Sequence, residues 1–224
     1  MNYPTVIDTL IKKWNFSEQE HDLFFSALHL IEYKRGESLQ KQGICSNQLF
    51  FIASGLVKLI IEGYKERGFV FEILTSNEIL GFNTLYTNQP NLFSAIALSN
   101  VHVFYIEANI ITKISEQNIN FYQFLCSEQQ KNIQFILHKL NTLGNKQIHG
   151  RFSESVLYLA SEKFKEIEIY NFISRKELAE LSAISLDSTM KIINELKNDK
   201  ILEVNGKEII IKDLEMMQRL SKIG

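Results

Sequence analysis

The sequence predicts an α+β chain of two domains: an antiparallel β-barrel or sandwich, a long helix, and a small C-terminal α/β unit. Three observations carry this. Between Leu30 and Ile106, short runs of Ile, Val, Leu, Phe and Tyr alternate with turn residues at intervals of about 8–12 residues. From Glu107 the pattern becomes helical, with no Pro or Gly before Gly144. Beyond Ile173, two serine-led helical segments run into an Asn-Gly turn flanked by aliphatic residues.

The first 30 residues read as helices. Ser17-Glu18-Gln19-Glu20 fits a capping box, in which a hydroxyl and a carboxylate satisfy each other's orphan backbone N–H groups, ahead of Leu23, Phe24, Ala27 and Leu28. Turns are expected at Arg35-Gly36, Gly43, Ser54-Gly55, Glu62-Gly63, Arg67-Gly68, Ser76-Asn77, Asn88-Gln89-Pro90 and Ser99-Asn100. The strands between them are Leu49–Ala53, Val57–Ile61, Phe69–Leu74, Phe93–Leu98 and Val101–Ile106, whose continuous apolar runs suit strands buried on both faces. In the long helix, Leu125, Gln129, Ile133, Ile136, Leu140 and Leu143 recur at steps of three and four. This is a coiled-coil seam, and its partner is expected to be a second copy of the chain. Gln129 fixes register, faces a ligand or is simply tolerated in the stripe, and the three readings stay open. Gly144 and Gly150 bracket a hinge at 145–149, and a further helix spans Phe152–Phe164. The domains are therefore read as 1–116, a β-domain with N-terminal helices; 117–145, dimer helix and hinge; and 146–224, the C-terminal reader.

Composition narrows the function. The 224 residues are 45% hydrophobic with a formal charge of −2. Splitting the chain at Gly150 leaves 12 basic and 13 acidic residues on each side, so any polyanion partner must be met by local placement of basic groups. Two cysteines, Cys45 and Cys126, and five scattered histidines give no disulfide framework or metal spacing, and no metal site is expected. The N-terminus lacks the basic cap and apolar run of a secretion signal, and no run of about 18 apolar residues occurs. The expectation is a cytoplasmic protein without membrane contact. Neither a Ser/His/Asp or Cys/His set nor a glycine-rich phosphate loop is present, so no catalytic residue and no enzyme activity are expected.

The informative stretch is Ile173–Ile211. Ser174 and Glu177 form a second capping box; Leu178, Ala179 and Leu181 face inward; a turn at 182–184 precedes Ser185, which caps the next helix. On that helix, spanning 185–197, Thr189, Ile192, Ile193 and Leu196 share one face, while Leu186, Asp187, Ser188, Met190, Lys191 and Asn194 lie toward the other. Two short helices joined by a tight turn and followed by a hairpin wing present a helix to the DNA major groove. Ser174 and Arg175 are placed to hold phosphate, and Ser185, Leu186, Asp187, Ser188 and Lys191 to meet the groove.

This segment resembles the winged helix-turn-helix of the cyclic-AMP receptor protein/FNR (Crp/Fnr) superfamily of bacterial transcription regulators. Ser174, Arg175, Glu177, Leu178, Ala179, Ala183, Ser185 to Thr189 and Lys191 carry the likeness, which continues through Leu196 and the wing 204–207. Upstream, Tyr33-Lys34-Arg35-Gly36-Glu37 and Phe50 to Lys58 look like that family's β-roll strands. The resemblance implies an N-terminal double-stranded β-helix (a cyclic-nucleotide-binding-like jelly roll), a dimerisation helix and a C-terminal reader. It implies a homodimer binding double-stranded DNA at a two-fold symmetric operator with half-sites roughly 34 Å apart, and RNA polymerase as a further partner. The alternative is a non-DNA-binding, dimeric ligand-sensing or scaffold protein with a degenerate reader.

Two departures matter. Where the family's cyclic-nucleotide binders carry Gly-Glu-Leu and then Arg-Ser/Thr-Ala, this chain has Gly81-Phe82-Asn83 and Phe93-Ser94-Ala95. The carboxylate for the ribose and the guanidinium for the phosphate are both replaced by phenylalanine, which disfavours cyclic AMP. These six residues and Gln129 are the expected effector pocket, with three readings open: an unidentified apolar or aromatic effector, a pocket filled by its own side chains, or an empty, unregulated one. No cofactor is expected, and the FNR-type N-terminal cysteine cluster is absent. On the reading helix, the family's Arg-Glu…Arg set becomes Leu186, Asp187 and Lys191. Asp187 can accept from a cytosine amino group, and Leu186 can touch a thymine methyl.

Overall fold

The computed structural model describes residues 14–63, 68–82, 85, 87 and 89–223. Tertiary contacts divide the chain into two compact units. One runs to Phe135, interrupted at 63–71; the other comprises that short segment and everything from Ile136 onward.

The N-terminal strands, all but the start of β5 within the first unit, form an antiparallel sandwich. One sheet has the order β1 (His29–Tyr33), β8 (Val101–Glu107), β3 (Gln48–Ser54), β6 (Ile79–Leu80). The other runs β2 (Ser38–Gln40), β7 (Ser94–Ala97), β4 (Val57–Glu62), β5 (Gly68–Leu74). The five strands read from the sequence fall within a residue of these bounds. As expected of a strand covered on both faces, Leu49 to Ala53 are all buried. Register on β3 is set against β8, with Phe51 opposite Phe104 and Leu49 opposite Ile106, and slips by a bulge between Ile52 and Ser54. At two places the fold demands glycine. A Cβ on Gly55 would lie 2.4 Å from the Asn100 carbonyl oxygen, and one on Gly81 would lie 2.4 Å from that of Gln48; both residues have positive φ.

The face of β3 bearing Leu49 and Phe51 is covered by helices α1 (Glu18–Ser26), α2 (Ala108–Gln117) and the start of α3 (Ile119–Asn145). The capping box at Ser17 and Glu20 forms as expected, and the Ser17 backbone N–H holds the Glu20 carboxyl below its ordinary range. The helical stretch after Glu107 is two helices rather than one. Asn118 interrupts it in an extended conformation and restarts it, its Oδ1 accepting from the Phe121 N–H at 2.9 Å. Trp14 lies at the centre of an aromatic cluster, with ring centroids 4.9 Å from Phe121, 5.1 Å from Phe124 and 5.5 Å from Phe24. The helices expected within residues 1–13 lie outside the described residues.

Leu125 corrects the seam. Read as its first position, it is only 4% exposed and belongs to this same cluster. The stripe that stays outside keeps Gln129, Ile133, Ile136 and Leu140 but continues toward the N-terminus through Cys126, Tyr122 and Ile119 rather than Leu125, in alternating steps of three and four. Leu143 is half-buried. The expected glycine hinge is also corrected. Gly144 is inside α3, and Gly150 is buried inside α4 (Ile148–Leu159), leaving only Lys146 and Gln147 between the helices.

Because Phe121 is fully buried in the aromatic cluster, Phe121→Ala should cost about 3–5 kcal/mol of stability by transfer and cavity terms together. Urea denaturation followed by Trp14 fluorescence measures this directly.

Candidate nucleic-acid interface

The second unit builds its presenting surface from α4, α5 (Arg175–Ser182), α6 (Leu186–Asn198), the hairpin β9 (Leu202–Asn205) and β10 (Glu208–Ile211), and α7 (Leu214–Ile223). Residues 168–173, which open this segment in the sequence, form a single 3-10 turn at Ile169–Asn171. Ser174 caps α5, accepting from the Glu177 N–H at 3.2 Å while Glu177 accepts from the Ser174 N–H at 2.7 Å. Ser185 caps α6, accepting from the Ser188 N–H at 3.0 Å and donating to the Ser188 hydroxyl at 2.8 Å.

Between the helices, Ala183 adopts left-handed backbone (φ 51°, ψ 45°) where the family pattern places glycine. The angle between α5 and α6 depends on this residue. The buried side of α6 consists of Thr189, Ile192, Ile193 and Leu196, as the periodicity requires. Leu186, Asp187, Met190, Lys191 and Asn194 are exposed. Lys191 lies 3.9 Å from Glu195, one turn along, and Glu195 also binds the His149 ring at 2.9 Å.

Arg175 is half-buried and donates to the Gly206 carbonyl at 3.3 Å, which ties the start of α5 to the wing. Burial lowers its guanidinium pKa, and the neighbouring Tyr170 opposes that shift. Burial also pushes the Tyr170 phenol up. The wing turn corrects the sequence reading by one residue. Asn205 pairs with Glu208, so the turn is centred on Gly206 and Lys207, and only Gly206 has positive φ. Glycine at the first central position is the type II′ arrangement rather than type I′.

Three groups that the sequence did not reveal hold this surface in place. The Arg151 guanidinium donates to the carbonyls of Lys146 (2.9 Å), Leu143 (3.0 Å) and Ala183 (3.5 Å). It thereby satisfies the C-terminal carbonyls of α3 and reaches the inter-helix turn. Glu154 receives Lys146 and Thr142, each at 2.8 Å, and the His138 ring at 2.5 Å. Burial raises its carboxyl pKa, but these hydrogen bonds outweigh it and the net shift is downward. Lys139 donates to the Leu181 carbonyl at 2.9 Å, and burial brings its pKa down to about 8.

Of the seven residues expected to form an effector pocket, six lie among the described residues. Phe82 packs in the Trp14 cluster, and Gly81 is required by backbone approach. Ser94 is buried, accepts from the Gln42 N–H at 2.9 Å and donates to the Glu62 carboxylate. Gln42 and Glu62 are clamped further by side chain to backbone bonds of 2.7 and 3.2 Å. The Phe93 carbonyl accepts from Gln40 at 3.5 Å, Ala95 is buried, and Gln129 is exposed on α3. Asn83 lies outside the described residues. Among the described residues, no helix is long and apolar enough to cross a membrane.

A serine-capped helix that follows a shorter helix across a tight turn and precedes a hairpin is the arrangement of winged helix-turn-helix domains. Residues 30–118 match the cyclic nucleotide-binding domain, and residues 150–220 the Crp-like helix-turn-helix domain. The chain is 20% identical over 192 residues to the cAMP-activated global transcriptional regulator CRP of Salmonella typhimurium, covering 84% of this chain and 91% of that one. Among solved structures, FixK2 from Bradyrhizobium japonicum matches with a TM-score of 0.74 at 13% identity, over 86% of this chain and 96% of that one. The c-di-GMP responsive global regulator CLP of Xanthomonas campestris gives 0.73 at 17%, over 87% and 99%. The chain belongs to the Crp/Fnr superfamily and is a DNA-binding transcription regulator of that type.

The strained turn yields a stability prediction. Ala183→Gly removes the left-handed penalty and adds back unfolded-chain entropy, so it should stabilise the reader by about 0.5–1 kcal/mol. The midpoint of chemical denaturation should rise with an unchanged slope; a fall would contradict the strain.

Proposed function

We propose that the protein is a cytoplasmic, homodimeric regulator that reads a two-fold symmetric operator through α6 and is not switched by cyclic AMP. The observation that carries this reading is the outward arc of α6 with its Ser185 cap. That arc presents Leu186, Asp187, Ser188 and Lys191 where helix-turn-helix proteins place base-contacting residues. Ser174 and Arg175 sit beside it at the start of α5, next to the wing, as a phosphate-holding pair. RNA polymerase is a further partner in this reading.

Pairing is supported by the exposed stripe on α3, where Leu140 is 58% exposed and Ile133 and Ile136 lie open beside it. Side chains of this size, repeating at coiled-coil spacing, call for a partner helix, and a symmetric copy supplies one.

Independence from cyclic AMP is supported by charge. The CRP relative is cAMP-activated, and cyclic AMP is an anion. Here Phe82 and Phe93 stand at the two charged positions, and the Ser94 hydroxyl already donates to a carboxylate. A phosphate brought to Ser94 would meet the Glu62 carboxylate, with Phe93 in place of the arginine that the family's cyclic-nucleotide binders carry.

Sites selected from random duplexes by the full chain should share a palindromic consensus, and their affinity should be indifferent to added 3′,5′-cyclic AMP. On the selected operator, Arg175→Ala should weaken binding to all sequences alike and lower the salt slope by about one. Loss on one sequence alone would reject the phosphate role. Ile136→Glu with Leu140→Glu should sediment as monomer. Mild oxidation of wild type should cross-link two chains through Cys126, which Cys126→Ser abolishes and Cys45→Ser does not; a monomeric wild type would reject the seam.

A further inference from the structure

The outward arc of α6 is unusually apolar for a surface that meets a polyanion. With about 100° between successive residues, Leu186 and Met190 fall one turn apart on the same side. They are 46% and 41% exposed, although four other side chains of the same helix are buried. Their neighbours on the arc are Asp187, Lys191 and Asn194. The one cation among these, Lys191, lies beside Glu195. No arginine occurs between Arg175 and Arg219, so α6 has no guanidinium fork with which to grip a guanine.

What this helix offers to the groove is chiefly aliphatic and thioether surface. In the major groove the apolar feature of the base edges is the C5-methyl group of thymine. Leu186 is the first residue of α6 and so belongs to the part of a reading helix that goes deepest; Met190 follows the groove one turn on. Covering two exposed side chains with methyl groups removes apolar area from water on both partners, and neither surface gains by facing phosphate. Asp187, flanking the pair, adds a hydrogen-bond acceptor suited to a cytosine amino group.

We propose that Leu186 and Met190 are specificity-determining residues that read thymine methyl groups at neighbouring positions of each half-site. The operator is therefore specified by methyl contacts more than by guanine contacts. This inference rests on the reading of α6 as the groove-entering helix, and it extends that reading to a residue, Met190, and a ligand chemistry.

The test uses the full-length protein and the operator obtained by selection. Each thymine is replaced singly by deoxyuridine, which removes the methyl group and leaves the pairing edge intact, and affinity is followed by fluorescence anisotropy. At two neighbouring positions per half-site, loss of the methyl should weaken binding about fourfold, the factor expected for one buried methyl-sized group. Leu186→Ala should erase the thymine–deoxyuridine difference at one of these positions and Met190→Ala at the other. Both side chains are exposed, so the variants should keep the wild-type circular dichroism. Asp187→Ala should leave the methyl effect in place and relax preference at a separate base. A selected consensus whose affinity is unchanged by deoxyuridine at every thymine overturns the methyl-reading proposal while leaving the DNA-reading function standing. A full methyl effect retained in both alanine variants overturns the residue assignment. Failure of the selection to yield any preferred sequence overturns the underlying reading and this inference with it.

Discussion

The reader depends on one guanidinium. Arg151 bridges two carbonyls at the end of α3 and the carbonyl of Ala183 in the turn between α5 and α6. Without it, the last turn of a long helix would end in unsatisfied acceptors just where the chain doubles back after two residues. The turn itself contains a left-handed alanine and needs the neighbouring structure to hold it. Lys139 and Glu154 add to this arrangement, and the wing is fastened by Arg175 to the Gly206 carbonyl. The pose of α6 is thus braced by cationic donors on backbone carbonyls, at 2.9–3.5 Å, and these bonds are insensitive to side-chain identity on the accepting side.

Much of the fold was legible because its signals were local. Strands β3, β4, β5, β7 and β8 announced themselves as β-branched and aromatic runs between turn residues, and three serine caps marked helix starts. What escaped was set by partners far along the chain. Strand β1 is almost wholly exposed, so His29–Tyr33 carried no burial pattern; its place is fixed by pairing with β8. Asn205-Gly206 is a favoured turn pair, yet the register of β9 with β10 moved the turn by one residue. Leu125 shares its helical spacing with the seam, and only its packing against Phe121 and Trp14 assigns it to the core. The bond from Lys139 to Leu181 spans 42 residues and has no sequence signature.

Gly81, Phe82 and Ser94, expected to line an effector pocket, each have a structural task that needs no ligand to explain it. Gly81 is demanded by its positive φ and the close approach of the Gln48 carbonyl, which would hold with or without an effector. Ser94 is a buried hydroxyl bonded on both sides by its own chain. Phe82, in place of a carboxylate, contributes to the packing that anchors α3 to the sandwich. A side chain recruited to a core cannot be exchanged freely for a charged one, so the phenylalanine at position 82 is tied into the stability of the first unit.

The open stripe on α3 has a consequence for dosage. A solitary chain would keep Ile133, Ile136, Leu137 and Leu140 wetted, a poor state for a soluble protein. On the homodimer reading, folding and association then become one equilibrium that responds to how much protein is made. Dilution would thin out the functional species more steeply than the total, giving the gene under its control a threshold rather than a proportional response.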